Sequence, residues 1–208
     1  MILNPSRQAL ADQVPGFLSQ AEGEALHRAA CTVEKLGCIL EIGSYCGKST
    51  IFLGAAAEQT QNLVFALDHH QGSVEHQPGE FFYDPSLTDA EGQTDTLHTF
   101  RQTMKAAKLE HCVVALVGNA TAIGQRWQQS LGMVFIDGGH SMHDALSDYR
   151  LWSGHVAIGG MLAVHDHYAT ARAGGQAPKA IIDAAVQSGL WALLESRESL
   201  RILQRLGA

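Results

Sequence analysis

Five short apolar runs, each followed within two residues by a glycine or an acidic residue, constrain this chain more than any other feature. Cys38-Ile39-Leu40-Glu41-Ile42 ends in Gly43, and Leu63 to Leu67 ends in Asp68. Val113 to Val117 ends in Gly118, Met133 to Ile136 in Asp137, and Met161 to Val164, entered through Gly159-Gly160, in His165-Asp166. Runs that are apolar at successive rather than alternate positions suit strands buried on both faces. Between them, apolar residues return at helical spacing over about 49–58, 97–108, 122–129 and 141–152. Leu18, Ala21, Ala25, Leu26 and Ala29 predict one helix over about 17–36, within an N-terminal helical segment 1–36. After a helix near 179–188, Trp191 to Leu194 and Leu200 to Leu203 are strand-like, with Glu195 to Glu198 between them. That pair reads as an antiparallel hairpin.

Alternation of strands and helices implies a parallel sheet covered on both faces. The expected fold is therefore α/β: a Rossmann-like, doubly wound, seven-stranded and mostly parallel sheet with a C-terminal antiparallel hairpin. The length of 208 residues suits one domain over 1–208. The polar stretch 69–93, rich in Gly, Pro and Asp, is long for a loop inside a compact domain and is expected to be an active-site lid or binding loop. A net charge of −7 with no basic run opposes stable binding to bulk nucleic acid. The four cysteines show no CxxC spacing and read as free thiols of a cytosolic protein. No signal peptide is legible, and no apolar run approaches the roughly 18 residues of a membrane span. The expected partner is a small-molecule substrate; oligomeric state stays open, with a homo-oligomer among the states allowed.

The turn Glu41-Ile42-Gly43-Ser44-Tyr45-Cys46-Gly47-Lys48-Ser49-Thr50 joins the first strand to a helix. Glycines there let backbone amides approach a ligand, and the helix N-terminus adds partial positive charge. Asp68, at the end of the next strand, is placed to accept hydrogen bonds from both hydroxyls of a ribose. Three ligands could use such a site. Gly-Lys-Ser-Thr suggests a phosphate-binding loop, but that motif needs four residues between its glycines and this turn has three. A dinucleotide turn needs a glycine where Tyr45 stands. A nucleoside without phosphates that carries a sulfonium remains, and Glu41 suits the positioning of its amino-acid end. The alternative is a purely structural turn.

Glu41 to Thr50, Ala66-Leu67-Asp68, Met133 to His140 and Gly159 to Asp166 together resemble class I S-adenosylmethionine-dependent methyltransferases. More narrowly, they resemble the small-molecule O-methyltransferases with an IDG-x-H motif, a subgroup that includes macrolide-sugar and cephalosporin-pathway enzymes. The resemblance runs from Cys38 to Asp166. It implies S-adenosyl-L-methionine as cofactor, with Glu41, Gly43, Ser44 and Ser49 at its methionine part. It also implies Asp68 at the ribose, Asn119 and Ala120 near the adenine, and His69 and Asp137 at the cofactor. Tyr45 stands where the wider class has a glycine.

Asp137 and Asp166 close strands that the usual winding makes neighbours, about 4.8 Å apart. Their carboxylates suit a divalent cation, and His165 or His167 could add a nitrogen. Asp137, His165 and Asp166 are the candidate metal ligands; the alternative is that Asp166 caps a turn and Asp137 meets only cofactor or backbone. His140 could take a proton from a substrate hydroxyl near neutral pH, or simply cap a helix. His143 and Asp144 read as solvated helix surface. His69, His70 and His76 gather at the expected lid, where Phe81, Phe82 and Tyr83 would cover an apolar substrate or anchor the loop. The main expectation is O-methylation of a small-molecule hydroxyl, with metal assistance. The alternatives are a metal-independent N-methyltransferase and a non-catalytic ligand-binding protein on the same fold.

Overall fold

The computed structural model describes residues 2–139 and 141–207. Its strands are β1 (Cys38–Ile42), β2 (Val64–Asp68), β3 (Val113–Val117), β4 (Leu131–Ile136), β5 (Val156–Val164), β6 (Trp191–Arg197) and β7 (Leu200–Arg205). They form one seven-stranded sheet in the order β3-β2-β1-β4-β5-β7-β6. β1 to β5 are parallel, and β7 runs antiparallel between β5 and β6. The strand order reverses at β1 and β4, so a crevice opens at their carboxyl ends, where folds of this kind bind ligands.

The helices are α1 (Pro5–Gln13), α2 (Gln20–Cys31), α3 (Lys48–Thr60), α4 (Leu97–Ala107), α5 (Ala120–Gly124), α6 (Met142–Trp152) and α7 (Ala177–Gln187). α1 to α4 cover one face, burying Leu26, Ile51, Phe52 and Phe100 against Ile39 and Phe135. On the other face Trp152 and Ile181 pack with Leu40, Val134 and Leu162. β1 thus sends Ile39 to one layer and Leu40 to the other, which is why its sequence is apolar at consecutive positions.

Four elements differ from the sequence expectation. The N-terminal segment holds a helix before the expected one. In α1, Asn4 accepts the Arg7 N–H and Pro5 occupies the first turn, a start that needs little apolar periodicity. The helix expected over 17–36 is shorter because a capping box of Ser19 and Glu22 fixes its start and the chain leaves it at Thr32. β5 begins before Gly159-Gly160 rather than after it. A Cβ at Gly160 would lie 2.6 Å from the Gly132 carbonyl of β4, and the β4–β5 register shifts between Leu131 and Met133. The glycine pair therefore allows a close strand contact instead of a turn. At the hairpin, β6 runs on through Glu195 to Arg197 and the turn is Glu198-Ser199. Glu198 takes the left-handed backbone, φ 49°.

Candidate active site

The crevice is a cleft of about 1190 Å³. One end is built by the turn after β1. Gly43, at φ 89°, passes so close to β4 that a Cβ there would lie 2.3 Å from the Asp137 carbonyl oxygen; no other residue fits. Tyr45 adopts the left-handed region that a glycine would favour, φ 47°. Its N–H donates to Asp68 Oδ2 at 2.8 Å, and the His70 N–H donates to Asp68 Oδ1 at 2.7 Å. The carboxylate is thereby fixed at the cleft wall by two backbone donors, one from the turn and one from the loop after β2. Two of its roughly four acceptor sites remain for a ligand.

Glu41 is placed differently from the expectation of a ligand contact. It is fully buried on the α2–α3 face, behind the turn and away from the cleft lining. Burial pushes its carboxyl up to about 8, against the hydroxyls of Ser49 and Thr50, which donate to it. It acts on the turn by tying β1 to the first turn of α3. Ser49 lines the cleft but donates its hydroxyl to Glu41. Ser44 also lines the cleft, and its buried Oγ has no hydrogen-bond partner among the described residues. His69, Asn119, Ala120 and Asp137 all line the cleft. Asn119 caps α5, accepting the Ala122 N–H.

At the ends of β4 and β5, one oxygen of Asp137, one of Asp166 and a ring nitrogen of His165 lie within 4.8 Å of one another. His165 is buried, with Nδ1 3.0 Å from Asp137 Oδ1, 3.6 Å from Asp166 Oδ1, and Nε2 3.1 Å from Glu22 Oε2. Burial opposes its charge, but the carboxylates of Asp137, Glu22 and Asp166 outweigh it and hold the imidazole up at about 11. Glu22, from α2, escaped the sequence reading. Burial works against its charge too, but His165, the Ser19 N–H and the Ser199 hydroxyl bring it down to about 2. Its other oxygen accepts from the Ser199 and Leu200 N–H groups at the start of β7. The Ser19-x-x-Glu22 spacing was a legible sign of a helix start; the partners on β5 and β7 lie too far along the chain to be read. Asp166 has φ 57° and accepts from the Tyr168 hydroxyl at 3.2 Å. His167 lines the cleft with a buried Nδ1 that has no hydrogen-bond partner among the described residues. His140 lies outside the described residues.

The stretch 69–93 folds along one side of the cleft through two short 3₁₀ turns, 74–76 and 85–87. His76 and Phe82 meet Phe17 and Tyr45, with ring centroids of Phe17 and Phe82 4.9 Å apart and those of Tyr45 and His76 5.0 Å apart. The loop is thus closed onto the segment before α2. Phe81, by contrast, is exposed. On the opposite wall His143, Asp144, Ser147 and Asp148 of α6 line the cleft, so His143 and Asp144 face it as well as solvent. No described helix is long and apolar enough to cross a membrane.

A mostly parallel sheet closed by an antiparallel hairpin, with a glycine turn after β1 and an acidic residue ending β2, defines an α/β methyltransferase fold. Residues 40–167 match the family model described as methyltransferase domain, and the chain belongs to that family. Two solved structures illustrate the likeness of fold. Methyltransferase PaMTH1 of Podospora anserina, bound to S-adenosylhomocysteine, is 14% identical, with 99% of this chain and 89% of that one covered and a TM-score of 0.70. The O-methyltransferase TomG of Streptomyces achromogenes, in complex with S-adenosylmethionine, is 16% identical, with 99% and 91% covered and a TM-score of 0.67.

Proposed function

We propose that this methyltransferase moves a methyl group from S-adenosylmethionine to a hydroxyl oxygen of a small molecule. The observation that carries the reading is the fixed Asp68 carboxylate beside the Gly43–Gly47 turn. Two backbone donors orient it and leave acceptor sites for a ribose diol, while the turn is too short to wrap phosphates. The unpartnered Ser44 hydroxyl is available to the ligand's charged amino-acid end. A net charge of −7 and a cleft of about 1190 Å³ favour a small acceptor over nucleic acid. All four cysteines are free thiols, in keeping with a cytosolic enzyme.

When bound, S-adenosylmethionine supplies an electrophilic methyl on a sulfonium, which the acceptor oxygen takes as the carbon–sulfur bond breaks. The chain contributes position and dryness. Asp68 and the turn fix the donor; the 69–93 loop, with Phe17, Tyr45 and Phe82, covers the cleft as a lid. His140 is the group we assign to removing the hydroxyl proton. A divalent cation, where bound, would be held by Asp137 and Asp166, and by His165 once Nδ1 has lost its proton, and would lower the pKa of the acceptor hydroxyl. A second reading has its own support: both nitrogens of His165 already meet carboxylates, so a positive charge sits at this spot without metal.

Isotope-labelled S-adenosylmethionine, offered with hydroxyl and amine acceptors before and after dialysis against EDTA, tests both readings. Label in an ether supports O-methylation, and label only in an amine refutes it. Activity that disappears with EDTA and returns with a divalent ion supports the metal; full activity in metal-free protein supports the imidazolium.

A further inference from the structure

The mouth of the cleft is apolar on the side of the 69–93 loop. Phe17, Val74 and Phe82 all line the cleft, yet they are 59%, 78% and 37% exposed. Large apolar side chains gathered at one edge of a cleft and left open to water mark a surface that a ligand covers. The rings form one platform: Phe82 meets Phe17 edge-on at 4.9 Å, and Phe17 stacks on Tyr45 at 6.5 Å, 28° from parallel.

This platform adjoins the end of the cleft assigned to the acceptor hydroxyl. Phe17 stands two residues before Ser19, at most about 7 Å along the chain. The Ser19 N–H donates to Glu22 Oε2, the oxygen that also meets His165 Nε2, and His165 Nδ1 faces Asp137. A molecule resting on Phe17 is therefore a short reach from the ends of β4 and β5.

The surroundings of the platform are acidic. The 69–93 loop carries Glu75, Glu80, Asp84, Asp89 and Glu91 and neither Lys nor Arg. Glu75 lines the cleft, between Val74 and His76. Asp84 is near enough to Tyr45 for its charge to add to burial and to Cys46 in holding the phenol well above its ordinary value. Among the described residues Lys48 is the only Lys or Arg that lines the cleft, and its Nζ donates to the Gly16 carbonyl at 3.3 Å. Aromatic rings with carboxylates beside them attract an organic cation, and the same surface repels an anion.

We propose that the methyl acceptor is a hydroxyl-bearing organic amine, whose cationic group lies on the Phe17–Tyr45–Phe82 platform beside Glu75 while its hydroxyl points to the ends of β4 and β5. The proposal rests on the methyl-transfer reading and names its substrate class. An acidic acceptor, or one carrying phosphates, would meet like charge along the loop.

Calorimetry on protein saturated with S-adenosylhomocysteine tests the assignment, with tyramine, para-ethylphenol and para-hydroxyphenylacetate as cationic, neutral and anionic phenols of similar size. Tyramine is expected to bind tightest, about tenfold over the acid, with the neutral phenol between them. Phe17→Leu, which keeps the apolar surface but removes the ring, and Glu75→Gln should each narrow that ratio, in variants that thermal melts show to be folded. A platform that only anchors the loop would weaken all the phenols alike in Phe17→Leu and leave the ratio unmoved, which would overturn the proposal. Equal binding of the phenols by wild type, a preference for the acid, or binding of none of them to the loaded protein would overturn it too, while the cofactor reading stands. Failure of wild type to bind S-adenosylhomocysteine would overturn the methyl-transfer reading itself.

Discussion

Glu22 offers the sharpest test of how this site is held together. Its side chain and that of His165 are 3% and 2% exposed and 3.1 Å apart. Glu22 also accepts from the N–H groups of Ser19, Ser199 and Leu200. One carboxylate therefore fastens α2 to the end of β5 and the start of β7. Glu22→Gln keeps the size and one acceptor but turns a donor towards His165. Removing one partner of a buried pair costs about 3–5 kcal/mol, and the retained acceptor puts Gln near the lower end. For a chain of this length each kcal/mol is about 2–4 °C, so the melting temperature should fall by about 6–12 °C at pH 6. The pH dependence has a definite sign. Glu22 is lowered to about 2, so its contribution is present above its ordinary value and lost as pH falls towards 2. His165 is raised to about 11, so its contribution is present below 6.5 and lost as pH rises towards 11. The difference between variant and wild type should be largest between these limits and shrink outside them. A folded variant that melts within about 2 °C of wild type at pH 6 would refute the reasoning.

Asp68→Ala should weaken S-adenosylhomocysteine binding by about 1.5–3 kcal/mol, the range for a lost hydrogen bond to a charged group, measured by calorimetry; unchanged affinity would remove Asp68 from the ribose site. Gly43→Ala should destabilise the fold by about 2 kcal/mol or more, because its Cβ meets the Asp137 carbonyl at 2.3 Å and its φ is positive, and chemical denaturation reads this directly. Asp148 is raised from 3.8 to about 6 by burial and by Asp144, so ligand-free protein should lose stability as pH rises between those values. That rise corresponds to up to about 3 kcal/mol, and Asp148→Asn should remove this part of the pH dependence; an identical profile in the variant would contradict it.

Much of this arrangement was legible because it is local. Continuous apolar runs give β1 to β4 within two residues of their observed ends, and the glycine turn with Asp68 rests on spacing alone. Asp137 and Asp166 end neighbouring strands, as the winding requires. The sequence is harder to read where a residue answers to something distant. Gly159-Gly160 resembles a turn in sequence but meets Gly132 of the adjacent strand. Glu41 resembles a ligand contact, but its side chain shares a sheet face with Ile39, so the hydroxyls of α3 claim it. Tyr45 fills a glycine's place because the Asp68 carboxylate and the following loop secure its backbone. Glu22 sits on a helix whose apolar pattern carries no sign of its partners on β5 and β7, and Asp148 on one whose pattern carries no sign of the cleft it lines.

The most direct measurement of the central claim is calorimetric titration with S-adenosylhomocysteine, with ATP and NAD as controls. Binding in the micromolar range, with a matching rise in melting temperature by mass action on the native state, is the predicted result. Binding of ATP or NAD without binding of S-adenosylhomocysteine would contradict the reading of the turn and of Asp68.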